Sequence, residues 1–234
     1  FLSITLLMFC ILGIQNLIRA MKDSVINTMI GTETISFLKF WGVLPAAFLV
    51  TIIYVKLVSV MKGENIFYLI MSIFIGFFLI FAFYLFPNHE HLHLNIETAQ
   101  RLVVSYPNFK WFILLLSNWS FSLFYVVAEL WPNAIFALLF WQFVNKITTV
   151  DESKRFYPLF GLLGQTGLYL SGRFLINLPA MNVYFTKLFD LQESISVISI
   201  KLVITVVVIL GIIGLWAFWV LNHYILDIST TENL

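Results

Sequence analysis

Apolar residues run along this chain in six long blocks, at 1–18, 35–60, 66–86, 111–145, 156–184 and 202–226, with polar and charged residues gathered between them. A helix of about 20 apolar residues crosses a hydrocarbon core of about 30 Å. None of the blocks has the two-residue alternation of a membrane β-strand. The pattern therefore predicts six transmembrane helices in residues 1–226, followed by a polar tail, or the start of a linker, at 227–234.

The blocks differ in ways that matter. In the second, Lys39 and Lys56 lie near the ends, where long lysine stems can reach the interface. The fourth is 35 residues long with a single charge, Glu129. As one helix it would extend about 52 Å, more than a bilayer core requires. It is either a long helix broken near Pro132 or a tight hairpin of two short spans. The broken helix is favoured, because a hairpin would bury its turn at Trp131, Pro132 and Asn133 with little polarity to satisfy it. The fifth block carries Gly161, Gly164, Gly167, Ser171 and Gly172, small residues that let membrane helices approach closely.

Composition strengthens the membrane reading. The chain is 61% hydrophobic and 11% charged, with a mean hydropathy of +0.96, against about 25% charged in a soluble domain. A net charge of +1 gives no reason to expect nucleic acid as a partner. One cysteine, Cys10, allows no disulfide within the chain. The sequence opens at Phe1 inside an apolar run, without the basic start of a signal peptide, and reads as a trimmed N-terminus. Basic residues divide almost evenly between the two sides. Lys56, Lys62, Lys146, Lys154 and Arg155 share the side with the shorter loops, which favours a cytoplasmic N-terminus.

A charge inside the bilayer is costly unless it is paired or hydrated, so intramembrane charges are functional candidates. Glu129 is the foremost: a charge-pair partner, a proton carrier or a substrate contact, against the plainer reading of a structural pair. Pro132, three residues on, removes a backbone hydrogen bond in the next turn. Arg19, Lys22 and Asp23 follow the first block. Arg19 and Lys22 share a face if the helix continues, which suits an anionic ligand such as phosphate; otherwise they anchor the helix end at the interface. Arg173, among the small residues of the fifth block, is a candidate for an anion, for Glu129 or for lipid headgroups. His89, His91 and His93 alternate after the third block, but nothing beside them completes a metal set, and a solvated loop is the better reading. No phosphate-cradling glycine motif or nucleophile elbow occurs. No metal or cofactor is expected.

Charges buried among six helices suggest a polar pathway, and six spans match half of a transporter built from two six-helix halves. A membrane enzyme acting on lipid would need a cluster of acids and histidines at one interface. A purely structural subunit would need no central charges.

The segments RAMKDSV (19–25), GTETISFLKFWGVLPA (31–46), ENIFYLI (64–70), FAFYLFPN (81–88), YPNFKWFI (106–113), NWSFSLFYVVAELWPNAIFALLFWQFVNKIT (118–148) and ESKRFYPLFGLLG (152–164) resemble the bacterial and plastid nucleotide transporters, the ATP/ADP translocases of rickettsiae and chlamydiae. The resemblance covers most of residues 15–172. It implies an all-α integral membrane protein, one half of a major-facilitator-like carrier of twelve helices, in a bacterial inner membrane with the N-terminus cytoplasmic. It implies a carrier rather than an enzyme, most simply an ATP:ADP antiporter. Import of GTP, CTP or UTP by exchange or with protons, or an inactive structural half, are the alternatives. The family's functional lysine falls on Lys22 and its glutamate on Glu129. Lys22 would neutralise phosphate charge; Glu129 would touch base or ribose, gate through a salt bridge or carry a proton. Ala20 and Pro132 stand where the family usually has a polar residue and a glycine, which leaves the choice of nucleotide open. The partners implied are a nucleotide, the lipid bilayer and a second six-helix half, without which the chain is not expected to transport.

Overall fold

The computed structural model of the chain describes residues 2–189 and 192–231. Its longer helices are α1 (Leu2–Met29), α2 (Thr34–Val60), α3 (Gly63–Leu85), α4 (Ile96–Ser105), α5 (Lys110–Ser117), α6 (Trp119–Ile147), α7 (Val150–Phe189) and α8 (Ile195–Thr231). No strand occurs among the described residues. Five of these helices, α1, α2, α3, α6 and α8 over Ile195–His223, are long and apolar enough to cross a membrane. The block expected as a fifth span is helical within α7, at 40 residues the longest helix. Its glycines, Gln165, Thr166, Arg173 and Asn177 leave it less apolar than the other five. The tail expected at 227–234 continues as helix to Thr231, and residues 232–234 lie outside the described residues.

The fourth apolar block needs a correction. Its surplus length is resolved at Asn118, not at Pro132. Asn118 leaves helical geometry (φ −113°, ψ 45°) and separates α5 from α6, so α6, at 29 residues, extends about 43 Å. Pro132 then loosens α6 without ending it: Pro132–Phe140 is π-helical and α-helix resumes at Trp141. Neither the hairpin with its turn at Trp131, Pro132 and Asn133 nor a break in the helix at Pro132 is found. Shorter π-helical stretches at Lys39–Val43 and Phe81–Leu85 lie just before Pro45 and Pro87. In all three a proline ring, without an N–H to donate, interrupts the regular ladder nearby.

α1 is the centre of the bundle, packed against α6, α7 and α8. Its approach to α7 depends on glycine. A Cβ on Gly167 would stand 2.4 Å from the Phe9 carbonyl oxygen, and one on Gly164 2.9 Å from Met8 Cγ. Asn16 fastens the same seam, donating to Ser171 Oγ at 2.8 Å and to the Leu168 carbonyl at 3.3 Å. Gly161 has open space around it, so only part of the small-residue stretch serves the contact. On the other side of α1, the buried ring of Trp131 packs edge-on against Phe74 and donates its N–H to the Ile11 carbonyl. α1 stops at Gly31, whose φ of 123° suits a glycine and whose N–H reaches back to the Ile26 carbonyl at 2.8 Å. α2 differs from the other spans. None of the residues in its apolar window is buried, and it meets α6 where Gly42 faces Val126.

The stretch after α3 is not the solvated loop that its histidines suggest. A single helical turn, His89–Leu92, brings His89 and His93 onto one side. His93 Nε2 lies 2.6 Å from Ser120 Oγ, and its ring meets Phe121 edge-on. His91 is exposed.

Candidate functional site

α1, α2 and α6 converge on a polar cavity of about 460 Å³ lined by Gln15, Arg19, Lys22, Asp23, Asn27, Ile35, Lys39, Tyr125, Ala128, Glu129 and Pro132. The residues reach it by helical spacing. Because α1 continues past the first apolar block, Arg19, Lys22 and Asp23 stand on a helix rather than beyond its end. Gln15, Arg19 and Lys22 recur at intervals of three and four on its cavity face. Tyr125 and Glu129, four apart, do the same on α6.

Lys22 is the fixed point. Its side chain is 6% exposed, and its Nζ lies 2.8 Å from Glu129 Oε2 and 2.7 Å from Asp23 Oδ1. The same ammonium sits 4.2 Å from the centre of the Tyr125 ring. A desolvated ammonium costs several kcal/mol unless such partners compensate it. A ring face adds about 1 kcal/mol. Glu129, 27% exposed, has a second cation nearby: Lys39 Nζ lies 3.8 Å from its Oε1. Arg19 is exposed at the cavity and makes no ion pair among the described residues. Two buried polar atoms at the cavity, Gln15 Oε1 and the Tyr125 hydroxyl, have no hydrogen-bond partner among the described residues.

Four of the five candidates from sequence, Lys22, Glu129, Arg19 and Asp23, line this one cavity. Arg173 does not. It is exposed on α7, takes no part in the cavity lining and does not pair with Glu129, which Lys22 holds instead. Lys39 corrects an expectation of another kind. Its position near the end of an apolar block suggested an interfacial anchor, yet the helix turns it toward Glu129. The signal was present, since Lys39 is also a charge within an apolar run. Tyr125 left no such signal, being one aromatic among many; its place one turn before Glu129 was the available clue.

A larger cavity of about 970 Å³ lies at the end of the bundle, bounded by Met29, His93, Asn95, Val103, Lys110 and Ser117. It is roomier but has no convergence of cations, and for an anionic ligand the smaller cavity is the better fit. Among the described residues no group of His, Cys, Asp and Glu could hold a metal ion. Chemically, three cations facing two carboxylates can bind a polyanion, provided that the carboxylates yield.

Comparison with known proteins accords with this geometry. The family model for TLC ATP/ADP transporters matches residues 1–233. The chain is 69% identical to ADP,ATP carrier protein 4 of Rickettsia bellii over 227 residues, 97% of this chain and 44% of that protein. It is 68% identical, with the same coverage, to ADP,ATP carrier protein 4 of Rickettsia prowazekii. ADP,ATP carrier protein 1 of Rickettsia bellii is 46% identical over 207 residues, 85% of this chain and 42% of that protein. The chain thus spans less than half the length of these relatives. No solved structure matches it.

Proposed function

The chain belongs to the TLC ATP/ADP transporter family, and on that premise we propose that it is the N-terminal six-helix half of a nucleotide carrier in a bacterial inner membrane, working by ATP:ADP antiport. Its N-terminus is cytoplasmic, and α7 serves as the sixth span. A second six-helix half completes a major-facilitator-like carrier and faces the cavity. Nucleotide phosphates meet Lys22, with Arg19 at the rim, and Asp23 and Glu129 act as counter-ions in the empty state.

The observation that supports this reading most strongly is the meeting of Lys22, Glu129, Arg19 and Lys39 at one cavity among membrane-length helices. Cations held in that setting have a low self-energy only when an anion accompanies them. In the empty cavity the carboxylates play that part, and in the loaded cavity the phosphates take it over. Glu129, which would repel a polyphosphate placed against it, is suited to an exchangeable ion pair.

The test is uptake of labelled ATP, ADP, GTP and CTP by cells expressing this chain joined to a C-terminal half from the family. Uptake of ATP that requires internal ADP or ATP supports antiport. Uptake that needs no internal nucleotide and follows the proton gradient supports proton symport instead, and its loss in Glu129→Gln would place Glu129 in the pathway. No uptake of any nucleotide by a correctly inserted protein contradicts the carrier reading.

A further inference from the structure

The two cationic neighbours of Glu129 come from different helices and differ in character. Lys22, on α1, is buried and held by Tyr125 and Asp23 as well as by Glu129. Lys39, on α2, has a side chain 54% exposed and stands 3.8 Å from Glu129 Oε1. It is the first residue of the π-helical stretch Lys39–Val43, where the ladder is loosened. α2 is also the span with the least burial, resting on α6 at Gly42.

A phosphate arriving at Lys22 adds a third anion beside a cation that already holds Asp23 and Glu129. At hydrogen-bond range in a partly dry cavity, a phosphate charge and the Glu129 carboxylate repel strongly. One of them has to give way. Asp23, 43% exposed, has water to turn into. Glu129 is 27% exposed and has less, but a cation waits on its other oxygen. A shift of roughly 1 Å turns the Lys39 contact into a full charge-assisted hydrogen bond.

We propose that Lys39 is the second seat of Glu129: when a polyphosphate occupies Lys22, the carboxylate passes to Lys39 and draws α2 against α6. The inference rests on the reading of this cavity as the nucleotide site. Lys39 is here a positioning residue that need not touch the substrate. In the empty state the Lys22–Glu129 pair ties α1 to α6; in the loaded state the Lys39–Glu129 pair ties α2 to α6. The handover therefore makes helix position depend on occupancy, which is what an exchanger requires of its two states.

The test is a double-mutant cycle on ATP binding to this chain joined to a C-terminal half from the family, in lipid nanodiscs, with inorganic pyrophosphate as a second probe that carries no base. Lys39→Met is expected to weaken both ligands by about fivefold, the upper range for a partly exposed pair. In the Glu129→Gln background the same change is expected to have almost no effect, because a neutral amide needs no second seat. Lys39→Arg should restore binding, and matching thermal unfolding of the variants separates the effect from misfolding. An equal loss in both backgrounds would mean that Lys39 touches phosphate directly, and overturns the inference alone. So does an absence of loss in either. Wild-type joined protein that binds neither ATP nor pyrophosphate overturns the nucleotide reading, and the inference with it.

Discussion

Lys22 and Glu129 meet at 2.8 Å between α1 and α6, and the lysine is far more buried than the glutamate, at 6% against 27% side-chain exposure. That asymmetry decides which partner suffers when the other is removed. Without Glu129, Lys22 keeps Asp23 and the Tyr125 ring. Without Lys22, Glu129 keeps a 3.8 Å contact to an exposed lysine. Breaking a buried pair costs about 3–5 kcal/mol, reduced here because Glu129 opens to the cavity. Lys22→Met is expected to destabilise by about 1–3 kcal/mol. Glu129→Gln should cost less, and Lys22→Met with Glu129→Gln should recover most of the loss. Thermal unfolding of the three variants in one detergent measures this.

Arg19 and Arg173 carry the same charge with different placement, one at the cavity and one outside its lining. Arg19→Gln is expected to weaken ATP binding by about fivefold to tenfold, as for loss of a charge-assisted contact to phosphate. Arg173→Gln should leave it within about twofold, in line with a surface change away from the site. Titration of ATP against the two variants decides between them.

Much of this was legible in the sequence, and the failures share a cause. Glu129 stood out because charge within an apolar run is expensive wherever the helix turns it, and Lys22 because it follows Arg19 by three residues and falls on the family's lysine. Arg173 is also a charge within an apolar block, yet it lies outside the cavity lining, and the rotation of a helix about its axis depends on its neighbours. Lys39 was misjudged in the opposite direction: snorkelling to an interface and pairing across helices look alike until the adjacent helix is placed. The break at Asn118 was missed because asparagine is a weaker stop than proline, and the visible proline at 132 drew the expectation. The histidine loop was misread because its anchors, Ser120 and Phe121, lie 27 or more residues further on.

The α1–α7 seam offers a test of packing alone. Gly167→Ala places a Cβ against the backbone of Phe9, where no side chain can move aside. A loss of about 1–3 kcal/mol is expected, as for other overpacked sites. Gly161→Ala, on the same helix with open space around it, should change stability by no more than about 0.5 kcal/mol. Unfolding midpoints of the two variants give the comparison.

The extramembrane turn at His89–His93 should respond to pH. Burial, and next the neighbouring His89, hold the His93 imidazole below its ordinary value of 6.5. Proton binding therefore favours the undocked turn. Docking stability is fully present above about pH 6.5 and is lost as pH falls through that value toward the lower docked one. The charged and titratable groups around the adjoining cavity are His89, Glu90 and Lys110. Amide hydrogen exchange across residues 89–105 should speed up below pH 6.5 beyond its intrinsic pH dependence, and His93→Asn should abolish the extra change.

The most direct test of the central claim is photolabelling of the chain, joined to a C-terminal half from the family, in native-like membranes with 8-azido-ATP, followed by peptide mapping, with and without excess ATP. ATP-protected label is expected on the segments of α1, α2 and α6 around Lys22, Lys39 and Glu129, and it should fall sharply in Lys22→Met. Label confined to the larger cavity around His93 and Lys110, or label indifferent to Lys22, would contradict the assignment of the nucleotide to this cavity.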